Sequence, residues 1–93
     1  MYTIVNLYSN QSGEISRFLS DFYEKKVTLE QDLKWEKEFQ NGTELADIIG
    51  AFIDNHDKYH INMWVSLDEG AFLNITENNA DQVIRYLYER FPY

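Results

Sequence analysis

The chain has no cysteine, so disulfides, thiolate chemistry, zinc–cysteine sites and iron–sulfur clusters are excluded, and the core alone must carry the stability. Its single proline, Pro92, stands next to the last residue, which leaves the rest of the chain free of the strongest breaker of helices and strands. The glycines, at positions 13, 42, 50 and 70, are isolated from one another, so no glycine-rich phosphate loop can be drawn. No apolar run approaches the roughly 18 residues that a membrane-spanning helix needs. The amino terminus, MYTIVNLYSN, has no basic leader and only a short alternating apolar run, so it reads as a strand and not as a signal peptide. The expected location is the cytoplasm.

Basic residues are also scarce: 8 lysines and arginines stand against 16 acidic residues, a formal charge of −8. Such a field repels phosphate backbones and anionic lipid, which argues against direct nucleic-acid or membrane binding. It attracts a basic protein surface. What the chain does have is apolar and aromatic side chains, 44% and 16% of its 93 residues, enough for one core and therefore one domain over residues 1–93.

Hydrophobic period separates helices from strands. Ile15, Phe18, Leu19, Phe22 and Tyr23 recur at helical spacing, with Ser12 as the expected N-cap. Leu45, Ile48, Ile49, Phe52 and Ile53 repeat the pattern behind Thr43, and Ala80, Val83, Ile84, Leu87, Tyr88 and Phe91 repeat it behind Asn78 or Asn79. Gly50 lies inside the second helix, where it lowers stability, and suggests a close approach by a neighbouring element. In VTLEQDLKWEKEF every apolar residue is odd-numbered, from Val27 to Phe39, which predicts a strand over Leu33 to Phe39 despite its Glu and Lys content. Tyr59 to Leu67 alternates again. A loop of three residues with Gly70 left-handed sets Leu67 opposite Ala71, Val65 opposite Leu73 and Met63 opposite Ile75.

The expected fold is α+β: a single two-layer domain with a four-stranded mixed sheet and three helices mainly on one face, in the order β-α-β-α-β-β-α. Right-handed crossovers would set the first three strands parallel and side by side, with a ferredoxin-like rearrangement as the alternative. Val5, Leu7, Leu33, Trp35, Phe39, Ile61, Met63, Val65, Leu73 and Ile75 form the sheet's contribution to the core. The opposite face then displays Tyr2, Ile4, Tyr8, Lys34, Glu36, Glu38, His60, Asn62, Trp64, Ser66, Phe72, Asn74 and Thr76. So many aromatic residues on one sheet face mark either an interface or a surface that a helix, most readily the third, crosses to cover.

Candidates for chemistry are few. DNHDKYH, residues 54–60, holds both histidines, but His56 and His60 straddle a joint between helix and strand and lose the shared helical face that a His-x-x-x-His chelate requires. Asn, Asp and Lys there suit a helix end and turn. Glu36 and Glu38 share a strand face as a glycosidase pair would, in a domain too small for a deep cleft. Ser66, His60 and Asp57 lack a nucleophile elbow. Three Asn-x-Ser/Thr triplets, at Asn10, Asn41 and Asn74, have no secretory context.

The functional expectation is a non-enzymatic, small acidic protein-binding module that docks through an aromatic and acidic sheet face formed by Tyr2, Tyr8, Glu36, Glu38, His60, Trp64 and Phe72. The sharper form is an inhibitor of a basic nucleic-acid-handling protein, of the immunity, antitoxin or phage counter-defence type. No cofactor, metal or catalytic residue is expected. Two alternatives stand beside it: a small-molecule or metal-binding domain using His56 and His60, and a homo-oligomerisation domain whose partner is a second copy.

Overall fold

A computed structural model describes residues 3–68 and 70–90, so Tyr2 and Phe91 lie outside the described residues. The elements are β1 (Thr3–Tyr8), α1 (Glu14–Tyr23), β2 (Lys34–Phe39), α2 (Gly42–Asp54), β3 (Asn62–Leu67), β4 (Phe72–Asn74) and α3 (Ala80–Arg90), in the order that the hydrophobic period predicts. No helix among the described residues is long and apolar enough to cross a membrane.

The sheet order is β2-β1-β3-β4, and every hydrogen-bonded pair is antiparallel. This corrects the expected mixed sheet. The reason lies in residues 24–33. Helix α1, ten residues or about 15 Å long, carries the chain away from the end of β1. Glu24, left-handed at φ 55°, then turns it, and the following segment, residues 25–33, runs back along the helix as a strap. Val27 N–H donates to Ser20 Oγ at 3.0 Å, and Ser16 Oγ donates to the Val27 carbonyl at 2.5 Å. Further on, the Asp32 carboxylate accepts from the Ser12 hydroxyl and from Gly13 N–H. Ser9 N–H finally donates to the Leu33 carbonyl at 3.0 Å, so the chain re-enters the sheet at the end where it left, and β2 must run against β1. β2 and β3, joined through α2, do point the same way, but β1 lies between them.

The strap also explains a second correction. Ser12 does not cap α1: the N-cap position is Gly13, left-handed at φ 86°, without a side-chain cap bond. Nor does Thr43 cap α2, where Asn41 Oδ1 accepts from Glu44 N–H at 2.8 Å. At α3, Asn79 holds the predicted place, its carbonyl accepting from Val83 N–H and its side chain accepting from Thr76 N–H.

Val5, Leu7, Met63 and Val65 from the sheet merge with Ile15, Phe18 and Leu19 of α1, Leu45, Ile48, Ile49 and Phe52 of α2, and Ala80, Val83 and Leu87 of α3 in one buried cluster. All three helices therefore cover the same sheet face, which leaves a two-layer domain. Tyr59 joins the core ahead of β3, edge-on to Phe18 at 5.5 Å between ring centroids. Of the predicted core, Leu33 instead stands exposed at the strap's end, and Trp35 and Leu73 are half-buried at its margin. Gly50 meets nothing within 4 Å at the position of an added Cβ, so no close approach explains it. The hairpin is as predicted: Val65 pairs with Leu73, Leu67 N–H donates to the Ala71 carbonyl, Ile75 N–H donates to the Met63 carbonyl, and Gly70 is left-handed.

Candidate functional site

Among the described residues, strand alternation leaves the second sheet face without a helix, and the register fixes its layout. One row across the strands reads Glu36, Asn6, Trp64 and Asn74, and the next reads Glu38, Ile4, Ser66 and Phe72. Tyr8 sits between Lys34 on β2 and Asn62 on β3. The aromatic residues fall on the diagonal of this grid. Trp64 stacks on Tyr8 at 6.3 Å and contacts Phe72 at 5.6 Å, so three rings form a continuous band across β1, β3 and β4. Phe72 remains 62% exposed and Tyr8 41%, which is more apolar surface than a solvated strand face requires.

Glu36 and Glu38 lie on the same face at the β2 side of the band, both exposed. Lys37, of opposite parity, is turned away from them. Its ammonium lies 3.0 Å from Glu44 Oε1 and over the rings of Phe39 and Tyr23, and the Glu44 contact pushes its pKa up. Lys34 is thus the cation that β2 presents to the open face beside two carboxylates.

Of the predicted site residues, the structure brings Tyr8, Trp64 and Phe72 together and sets Glu36 and Glu38 beside them; Tyr2 falls outside the described residues. His60, two residues ahead of Asn62, is exposed. It precedes β3 and is held by its backbone, with N–H donating to Glu14 Oε1 at 3.0 Å and carbonyl accepting the Ser9 hydroxyl at 2.5 Å. One face residue escaped the sequence reading. Asn6 sits at the centre of the grid, its Nδ2 donating to Ser66 Oγ at 3.1 Å and to the Trp64 carbonyl at 3.4 Å. Its parity, between Ile4 and Tyr8, was the signal that placed it there.

Between β1, β2 and the strap lies a depression of about 380 Å³. Tyr8 and Trp64 line it together with Asn6, Lys34 and Glu36, and the strap adds Glu30 and Gln31. Neither strap residue carries a periodic signal, because the segment is held by serine hydroxyls and not by an amphipathic pattern.

The histidine segment is the joint between α2 and β3. His56 Nδ1 donates to the Ile53 carbonyl at 2.9 Å, while Nε2 lies 2.5 Å from Glu77 Oε1 and 3.1 Å from Asp57 Oδ1. The Ile53 bond first, and the two carboxylates after it, hold the imidazolium form above the usual histidine range. Both ring nitrogens thus face acceptors, as in a protonated, structural histidine. Among the described residues no group of three or more histidine, aspartate and glutamate side chains is placed to hold a metal ion.

No family model, curated protein or solved structure matches the chain, so the site is read from its geometry.

Proposed function

We propose that the chain is a non-enzymatic protein-binding module whose open sheet face docks on a basic protein. The observation that carries this reading is the band Tyr8–Trp64–Phe72, left exposed on a helix-free face and flanked by Glu36 and Glu38. Aromatic anchors surrounded by charge are the usual composition of an interface centre and rim. The net charge of −8 selects the sign of the partner. Carboxylates spaced along an extended strand offer a basic groove the repeating negative charge that it meets in a nucleic-acid backbone, which favours a nucleic-acid-handling protein as partner and inhibition as the outcome.

The test compares the full chain with its Phe72→Ser, Trp64→Ser and Glu36→Gln/Glu38→Gln variants as bait, after thermal melts confirm that each is folded. Support is capture of a basic protein that weakens with added salt, is lost with Phe72→Ser and is reduced by the double charge change. Capture indifferent to all three variants, or a sedimentation mass showing a salt-independent dimer closed through this face, overturns the reading.

A further inference from the structure

The depression beside the aromatic band has a chemistry of its own. The rings of Tyr8 and Trp64, 6.3 Å apart between centroids and inclined by 29°, both line it. The face of such a ring carries the negative end of its quadrupole and attracts a cation. Asn6, also in the lining, turns its amide nitrogen toward Ser66 Oγ at 3.1 Å and the Trp64 carbonyl at 3.4 Å. Glu36 on β2 and Glu30 on the strap contribute carboxylates from two separate elements, against one ammonium from Lys34. Rings and carboxylates favour a cation; among the described lining residues Lys34 alone opposes it.

The geometry points to a recess for a guanidinium group: the side chain of an arginine carried by the basic partner, stacked on Tyr8 and Trp64 and hydrogen-bonded by Glu36 and Glu30. A guanidinium fits better than an ammonium because it is planar, less strongly hydrated and able both to stack and to donate in its plane. An anion would meet two carboxylates. A neutral aromatic ligand would use the rings and leave the carboxylates without a role. This inference rests on the reading of the open face as a docking surface and names the group that the face would recognise first.

The full chain is titrated with N-acetylarginine amide and, separately, with N-acetylcitrulline amide, its uncharged isostere, while the indole N–H resonances of Trp64 and Trp35 are followed by NMR. The arginine amide is expected to shift Trp64 saturably in the millimolar range, as suits a single side chain, and the citrulline amide to leave it unmoved. Glu36→Gln is expected to weaken the arginine amide about threefold, the effect of one exposed charge pair, and Lys34→Gln to strengthen it by a similar factor. Equal shifts from both amides, no saturable shift of Trp64, no change in Glu36→Gln, or weaker binding in Lys34→Gln overturns the inference. The two proposals fail separately. Loss of partner capture in Phe72→Ser without arginine-amide binding removes the recess alone, whereas arginine-amide binding with capture indifferent to the face variants removes the docking reading alone.

Discussion

The hydroxyl of Ser12 donates to the carboxylate of Asp32, twenty residues further along the chain, and closes the strap that returns from α1 to β2. Gly13 N–H binds the same carboxylate, and together the serine hydroxyl first and the backbone amide second hold the Asp32 pKa below the usual carboxylate range. The strap decides the topology, because its course beside α1 brings the chain back to Leu33 and makes β2 antiparallel to β1.

Asp32→Ala should therefore lower the thermal midpoint by a few degrees, with Asp32→Asn intermediate because the amide oxygen can still accept. A carboxylate whose pKa is depressed on folding contributes stability that is present above about pH 4 and is lost as the pH falls through its folded value. Asp21, held down first by the Tyr59 hydroxyl and then by Lys58, acts in the same direction. Thermal melts between about pH 2 and pH 5 should show the midpoint falling less steeply in Asp32→Ala than in the parent. Parallel curves would show that the contact has no linkage to folding.

His56 acts at the other end of the scale. Its folded pKa is raised, so its contribution is complete below the unfolded value of about 6.5 and is lost as the pH rises through the higher, folded value. Its partners tie the α2–β3 joint to the turn before α3 through Glu77. The midpoint of the parent should fall between about pH 6 and pH 8 relative to His56→Gln, and Glu77→Gln should reduce that fall. Zinc or nickel should leave the midpoint of the folded chain unchanged, because both nitrogens of His56 already face acceptors and no group of metal-ligating side chains is assembled among the described residues.

Gly50→Ala should stabilise the protein by about 0.5–1 kcal/mol, the difference between these residues inside a helix. An added Cβ meets nothing within 4 Å, and α2 continues on both sides of the position. A rise of about 4–8 °C in the thermal midpoint per kcal/mol is the corresponding scale for a chain of this size. A fall would mean that the glycine serves a state of the helix other than this one.

The helices and the hairpin were legible because hydrophobic period reports burial directly: Ile15, Phe18 and Leu19, or Met63 and Val65, point inward for the reason that they recur as they do. The aromatic band was legible from the same parity, since Trp64 alternates with the buried residues of β3 and Phe72 with the half-buried Leu73 of β4. Strand direction was not legible. It depends on hydroxyl contacts such as Ser16 with Val27 and Ser12 with Asp32, which leave no trace in an apolar pattern. Ser12, Ser16 and Ser20 do recur every four residues, and that spacing is the one sequence feature that marks the helix edge along which the strap returns. Glu30 and Gln31 reach the aromatic depression only by way of that return, so no reading of β1, β2 and β3 alone could have placed them there.

Phe72→Ser separates docking from folding. The ring is 62% exposed and its packing is against Trp64 on the open face, away from the buried cluster, so its loss should cost less than about 1 kcal/mol. Trp64 is half-buried between Tyr8 and Phe72, and Trp64→Ser should cost more while still leaving a cooperative melt. Val65→Ser, one residue along β3 and fully buried, should be the most damaging of the three. If Phe72→Ser proves as harmful as Val65→Ser, the ring belongs to the core and the open face is not a free surface. With the expected order, Phe72→Ser becomes the variant of choice for any binding experiment, because a lost interaction can then be assigned to the missing ring.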